Sequence, residues 1–516
     1  MKITNKTKNV ARGLTGIFAG LLAISIGATS VVETYRSWID AQLGTVSSGI
    51  VTDEVDPNED TYNFRVKSAD EVGGFDLTTS KGVYDYQKAA AIEIASEGIV
   101  LMKNDDSLPL AKNSNVTLLG TAAYNVFHGG TMGSMPVQSE KISFVDALTD
   151  QGMTVDPTAM AAYENAPGYG ESTTQLPWGT TVNSNLSSIS SGVFTLNESS
   201  PADVGLSNLS QKGGTAIVVL ARQGGEQSYY LPGEEGKGNT DINSWDEDHD
   251  VLGLSVKEME TIRYAKANYD NVVVIINSDS AMDVPELFED GGEYEADSVL
   301  WAGLPGTYGW VAVAQVLDGT VNPSGHMVDT YAAKASVSAA NQNYGIFTFA
   351  NADLNDALVT GSEKSAWYMP EAEGIYIGYR YYETRYFDAV MSQGNATVAH
   401  KGANQDTADP DAAAWNYSDE VVASFGYGLS YTTFTETLDS VDVDFDAQTV
   451  TATVTVQNTG SVPGKHAVQL YVNTPYTAGG LEKSAIALLG YEKTGMLGQG
   501  ESETVTITAE FQDFAT

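Results

Sequence analysis

The chain has 516 residues, 42% of them hydrophobic, which is too long for one hydrophobic core and implies two or three domains. A formal net charge of −41 and a pI near 4.2 argue against a nucleic-acid partner, since phosphate binding needs clustered Lys and Arg, and favour a neutral or cationic ligand. With no cysteine, disulfides, thiolate nucleophiles and Cys-bound zinc or iron–sulfur centres are excluded.

Lys2, Lys6, Lys8 and Arg12 precede an uncharged stretch from Gly13 to Val32. Its length suits a membrane anchor, with the basic flank inside the cell and the rest of the chain outside; Ala28-Thr29-Ser30 offers a signal-cleavage site as the alternative. Both readings place the rest of the chain outside the cell, held at the cell membrane or secreted, and the absence of cysteine suits an exported bacterial protein. Val51 to Gly74 is acidic and poor in large apolar residues, and reads as a linker.

Val83, Tyr86, Ala90 and Ile94 fall at helical spacing and predict an amphipathic helix over Tyr84 to Ser96, followed by an extended Ile99 to Met102. Asn115 to Leu119 reads as a strand. Ser143 caps a helix that Gly152 stops, and Ser255 caps a longer one to about Tyr269, with Glu258 completing a capping box. Thr215 to Leu220, Val272 to Ile276 and Ser298 to Trp301 are short apolar runs, and Tyr308 to Leu317 is helical. Strands alternating with helices predict an α/β fold, an open, mostly parallel sheet flanked by helices. Ala335 to Ala372 and Gln393 to Asp419 read as loops. Beyond Phe434 the period changes to two, in Val450 to Val456, Ala467 to Val472, Ala485 to Tyr491 and Glu501 to Glu510. These predict a small all-β sandwich of about eighty residues, short of the roughly 100 of a full one, so it looks incomplete.

The chemistry-bearing stretch is Thr215 to Pro232, TAIVVLARQGGEQSYYLP. An apolar strand breaks at glycines and delivers one carboxylate, Glu226, just past its carboxyl end, where open α/β sheets bind ligands. Tyr229 and Tyr230 add flat faces suited to a sugar ring; an ordinary exposed turn fits the same pattern. His128-Gly129-Gly130-Thr131-Met132-Gly133-Ser134 has the composition of a nucleotide loop, but it stands too far from the next helix to cradle a pyrophosphate. The five histidines have no metal-ligand spacing, the acidic run around His249 lacks the glycine and distal Glu of a calcium loop, and neither a P-loop nor a G-x-S-x-G turn occurs. No metal or cofactor is expected. Acidic residues remain as the main candidates, which points to carboxylate chemistry such as glycoside hydrolysis.

Ala95-Ser96-Glu97-Gly98-Ile99-Val100-Leu101-Met102-Lys103-Asn104 with Leu108-Pro109-Leu110 resembles the opening of the α/β-sandwich domain of family 3 glycoside hydrolases. Leu304-Pro305-Gly306, Asn322-Pro323-Ser324-Gly325 with Asp329-Thr330, Glu373 to Tyr382 and Phe425 to Phe434 are similar to the family's marks, in order. Gln457 to Gly460, Gly464 and Gln469 to Val472 resemble its fibronectin type III-like module. The resemblance covers roughly residues 80 to 516. Together with the composition of the amino-terminal part, it divides the chain into an anchor or signal (1–50), an acidic linker (51–80), the α/β-sandwich domain (81–345), loops and connection (346–437) and a truncated fibronectin-like domain (438–516).

The resemblance implies a retaining β-glycosidase, β-glucosidase or alternatively β-xylosidase, whose nucleophilic Asp sits on a (β/α)8 barrel that in the permuted subgroup follows this module. Glu226 matches the family's acid/base position, with Arg222, Gly225, Gly129 and Gly130 as substrate contacts. The substrate would be a β-glucoside or oligosaccharide, and this chain alone would be inactive without the barrel. A non-catalytic surface protein binding glycans or a partner is the competing class.

Overall fold

The computed structural model describes residues 67–514, apart from 131–137, 167–172, 176–180, 184–185, 190–192, 207–212, 225–251, 335–346, 351–366, 390–415, 476–479 and a few isolated positions. All but Lys67 of these belong to one compact unit, Ala69–Thr516. The Gly13 to Val32 stretch, the His249 run and the loop end Thr131 to Ser134 lie outside the described residues. Among the described residues no helix is long and apolar enough to cross a membrane.

The first element is helix α1 (Ser80–Gly98), capped by Thr79, whose side chain accepts the Gly82 N–H. It is longer than its apolar spacing suggested, and the expected face is not the one that packs. Ile94 stays 72% exposed while Ile92 and Ala95 lie against the core. The strands that follow are β1 (Val100–Asn104), β2 (Asn115–Leu119), β3 (Thr154–Val155), β8 (Thr215–Arg222), β9 (Asn271–Ser278) and β10 (Ser298–Trp301). Two hairpins stand between β3 and β8, pairing β4 (Thr173–Gln175) with β5 (Thr181–Asn183) and β6 (Leu186–Ile189) with β7 (Val193–Leu196).

The six strands form one sheet in the order β1-β10-β9-β8-β2-β3, parallel except for β1, which runs antiparallel to β10. Every residue of β8 is buried, as a strand covered on both faces must be. Its side chains alternate between two cores. Ile217, Val219 and Ala221 join Phe144 and Leu148 of helix α2 (Phe144–Asp150) and Trp310 and Val313 of α5 (Trp310–Leu317). Ala216, Val218 and Leu220 join Ala159 of α3 (Pro157–Tyr163) and Met259 and Ile262 of α4 (Val256–Asn268). The caps Ser143 and Ser255 stand as the sequence predicts, Ser255 in a complete capping box with Glu258.

The β module carries a three-stranded sheet, β15 (Phe434–Asp444), β16 (Thr449–Asn458) and β19 (Ser502–Glu510), and a pair, β17 (Ala467–Asn473) with β18 (Ile486–Lys493). Val454, Val456, Val468, Leu497, Val505 and Ile507 form its core. The sequence motifs meet where this module joins the α/β sheet. Leu429 N–H bonds Leu101 O of β1, and Met327 and Tyr427 pair through the backbone at 2.8 Å. A Cβ on Gly428 would come within 2.2 Å of the Gly325 carbonyl, so the close approach of these two turns needs a glycine there. Between the sheet and the module, β11 (Tyr331–Ala332) pairs with β14 (Val421–Ala423), and β12 (Phe347–Thr348) with β13 (Trp367–Tyr368). Helices α6 (Tyr379–Ala389) and α7 (Tyr417–Glu420) complete the connection.

Candidate active site

From β2 the chain crosses to β3 on one side, then returns to build β8, β9 and β10 on the other. The order reverses between β2 and β8, and the crevice beyond the carboxyl ends of such strands is where open α/β sheets bind ligands. Two segments enter it, the loop Gly120–Gly130 after β2 and Gln223-Gly224 after β8.

Gln223 and Gly224 are both anchored. The Gln223 Nε2 donates to the Gly129 carbonyl, tying the two segments together across the switch point. The Gly224 N–H donates to both Asp279 carboxylate oxygens, 2.9 and 3.1 Å away, just past the end of β9. Burial pushes the Asp279 carboxyl above the usual carboxylate range, and the Gly224 amide opposes that shift.

The glycine loop is held by one buried amide. Asn277 of β9 accepts the Phe127 N–H at 2.7 Å and donates to the carbonyls of Phe127 (3.0 Å) and Gly303 (2.7 Å). The Trp310 indole N–H reaches the same Phe127 carbonyl. His128 is buried, with Nε2 2.9 Å from the Ile142 carbonyl, and its own carbonyl accepts the Gly306 N–H at 2.7 Å. The Leu304-Pro305-Gly306 motif therefore braces this loop. Asp156, next to β3, caps α3 by accepting the Thr158 N–H.

A carboxyl that the sequence reading missed lies behind the same crest. Glu198 is buried and accepts the N–H groups of Thr121, Ala122 and Ser199, the first two directly after β2. Burial and the nearby Glu258 push its pKa up to about 7, while those three amides pull it down. It follows a stretch without apolar periodicity, so no sequence signal marked it.

Of the residues expected in the site, Gly129 and Gly130 are described and buried at the crevice, while Gly225 and Glu226 lie outside the described residues. Arg222 was expected to touch substrate, but it is only 1% exposed and gives its guanidinium elsewhere. It donates to both Glu258 oxygens, at 2.7 and 2.8 Å, and to the Gly253 and Ala221 carbonyls. As the last residue of a strand buried on both faces, it lies inside the sheet–helix interface, where a charge needs a partner. Gln223 and Gly224 thus follow a strand end held by an ion pair.

Comparison with known proteins identifies the family. The model of the glycosyl hydrolase family 3 C-terminal domain matches residues 99–379, more than half of the 516. The chain belongs to glycosyl hydrolase family 3. It is 29% identical over 448 residues to beta-glucosidase A of Butyrivibrio fibrisolvens, covering 82% of this chain and 46% of that protein. It is 26% identical over 493 residues to the exo-alpha-(1->6)-L-arabinopyranosidase of Bifidobacterium breve, covering 92% and 48%. Among solved structures, the beta-glucosidase of Paenibacillus barengoltzii superposes with a TM-score of 0.57 at 23% identity, covering 82% of this chain and 38% of that one. Beta-glucosidase 3B of Thermotoga neapolitana, solved with alpha-D-glucose, gives 0.56 at 24%, covering 84% and 50%. At these identities the structural likeness is one of fold. This family 3 chain spans about half or less of the length of these relatives.

Proposed function

We propose that this chain is the α/β and fibronectin-like part of a retaining β-glycosidase that removes terminal β-linked glucose, with Glu226 as its acid/base. The observation that carries this reading is the anchoring of Gln223 and Gly224 at the switch point, two residues before Glu226. Retention needs two carboxyl groups about 5 Å apart. The second is an Asp carried by a (β/α)8 barrel packed over this crevice; the family membership and the greater length of the relatives support that partner. In the first step the Asp attacks the anomeric carbon, the glycosidic C–O bond breaks, and Glu226 gives its proton to the leaving oxygen. In the second, Glu226 takes a proton from water as that water displaces the Asp, returning both carboxyls to their starting states. A barrel that excludes water would raise the Glu226 pKa into the range an acid catalyst needs. The basic flank and apolar Gly13 to Val32 support a site outside the cell, held at the membrane.

The test is Glu226→Ala in the full-length enzyme, assayed on aryl β-glucoside, β-xyloside and α-L-arabinopyranoside. Turnover of a natural glucoside should fall about 10²–10⁴-fold. Azide should restore turnover of the aryl glucoside and give a β-glycosyl azide. Unchanged turnover in the variant would remove Glu226 from the mechanism, and faster hydrolysis of a pentoside would replace glucose as the preferred sugar.

A further inference from the structure

A second concavity lies where α6, α7 and the Ser424–Tyr427 turn meet strands β15, β17 and β18 of the fibronectin-like module. It encloses about 490 Å³, within the roughly 300–1,000 Å³ of small-molecule pockets, and none of its lining residues belongs to the crevice beyond β2 and β8. Its walls are half-buried aromatic rings. Tyr379 and Phe425 stack with centroids 4.3 Å apart and planes 17° from parallel, and Phe425 meets Tyr471 edge-on at 6.5 Å.

We propose that this pocket is a non-catalytic binding site for a neutral saccharide, one pyranose unit of a β-glucoside chain. The rings are fixed before any ligand arrives. The Tyr379 hydroxyl accepts the Leu488 N–H at 2.9 Å, and the Tyr471 hydroxyl donates to Gln469 Oε1 at 2.6 Å. Gln469 Nε2 in turn donates to the Gly426 carbonyl at 2.9 Å. Gly426 has φ 77°, and a Cβ there would stand 2.2 Å from Gln469 Oε1, so the amide can close over this turn only because the residue is glycine. Rings locked in this way lose little entropy when a sugar's C–H face settles on them.

The polar groups select the ligand class. Glu383 accepts the Tyr417 hydroxyl at 2.6 Å, and Glu436 pairs with His466 Nε2 at 2.7 Å, each through Oε1. Among the described residues, Oε2 of both carboxylates is left to accept from a ligand. The two carboxylates disfavour anions, and the nearby guanidinium of Arg380 is drawn to the Tyr379 ring, 5.9 Å from its centroid, rather than into the lining. The quaternary ammonium head of choline meets the rings and the carboxylate charge but donates no hydrogen bond, whereas a sugar ring presents several hydroxyls that can donate to both Oε2 atoms.

The experiment is saturation-transfer NMR and calorimetry on the full-length protein whose catalytic site has been trapped with an activated 2-deoxy-2-fluoro-β-glucoside, with methyl β-D-glucopyranoside, cellotriose and choline as probes; untreated protein serves the hydrolysis assay. Hydrolysis of an aryl β-glucoside is measured in parallel. Cellotriose should bind, and Glu383→Gln and Phe425→Ala, checked for an unchanged circular dichroism spectrum, should each weaken that binding at least about fivefold while leaving aryl-glucoside turnover within about twofold. Glu436→Gln, on β15, should do the same if Phe425→Ala fails to fold. Cellotriose binding that ignores all these variants, or choline binding in place of the sugars, would overturn the proposal. Loss of hydrolysis in the Glu226 variant bears only on the catalytic reading, so the two can fail separately.

Discussion

Arg222, the last residue of β8, and Glu258, in the first turn of α4, form a buried bidentate pair with N–O distances of 2.7 and 2.8 Å. Glu258 Oε2 also accepts the Ser255 N–H at 2.8 Å, so one carboxylate closes the helix cap and neutralises the strand end. Arg222→Met strands that carboxylate in the interior and should cost about 3–5 kcal/mol. The check is a lower urea midpoint with an unchanged slope. The double variant Arg222→Met with Glu258→Leu removes both charges and should recover much of the loss.

Asn277→Ala should uncouple the glycine loop from the sheet. The amide serves one N–H and two carbonyls, and nothing in an alanine replaces it. Stranded buried backbone groups cost about 1–3 kcal/mol each, and a partial loss of about 3 kcal/mol is expected overall. Hydrogen exchange at Phe127 should accelerate before exchange in β8 does. Equal acceleration in both would mean that Asn277 supports the whole sheet.

Glu198 makes stability depend on pH in the direction opposite to most carboxyls. Its pKa in the folded protein, about 7, stands above the ordinary 4.5, so the folded state holds the proton through the interval between them. Whatever this group contributes is fully present below pH 4.5 and is lost as pH rises through 7. A shift of that size corresponds to about 3 kcal/mol between the two limits. Glu198→Gln cannot ionise, so its stability relative to the native protein should improve steadily from pH 5 to pH 8 in denaturant titrations. A flat difference would mean that the three amides keep Glu198 charged throughout.

The parts of the sheet legible in the sequence are those where one force dominates. Runs such as VVVII are buried on both faces and can hardly be anything but parallel strands, and Ser143 and Ser255 cap helices through chemistry contained within four residues. Strand β15 escaped the reading because it is acidic and open to solvent, with Leu438 61% exposed; its pairing with β16 comes from the backbone, which leaves no hydrophobic trace. Only the family resemblance implies Arg222 as a substrate contact. What decides its role is Glu258, thirty-six residues on, a long-range partner that local pattern does not reveal. Asn277 carried a readable signal, a polar residue closing an apolar strand.

Glu97 joins the two halves of the described unit. At the carboxyl end of α1, it pairs with Lys465 and Lys493 of the fibronectin-like module. Burial alone would raise its pKa, but the two ammonium groups outweigh that and hold the carboxyl below its usual range. The stability this provides is present above the ordinary carboxylate pKa and is lost as pH falls through the depressed one. The three side chains remain a quarter to a third exposed, so water screens the pairs, and Glu97→Gln should cost only about 1 kcal/mol. That cost should shrink as salt rises from 0.1 to 1 M, because the Debye length falls from about 10 to 3 Å. Thermal unfolding at the two salt concentrations measures it, and a salt-independent loss would mean that Glu97 acts by packing rather than by charge.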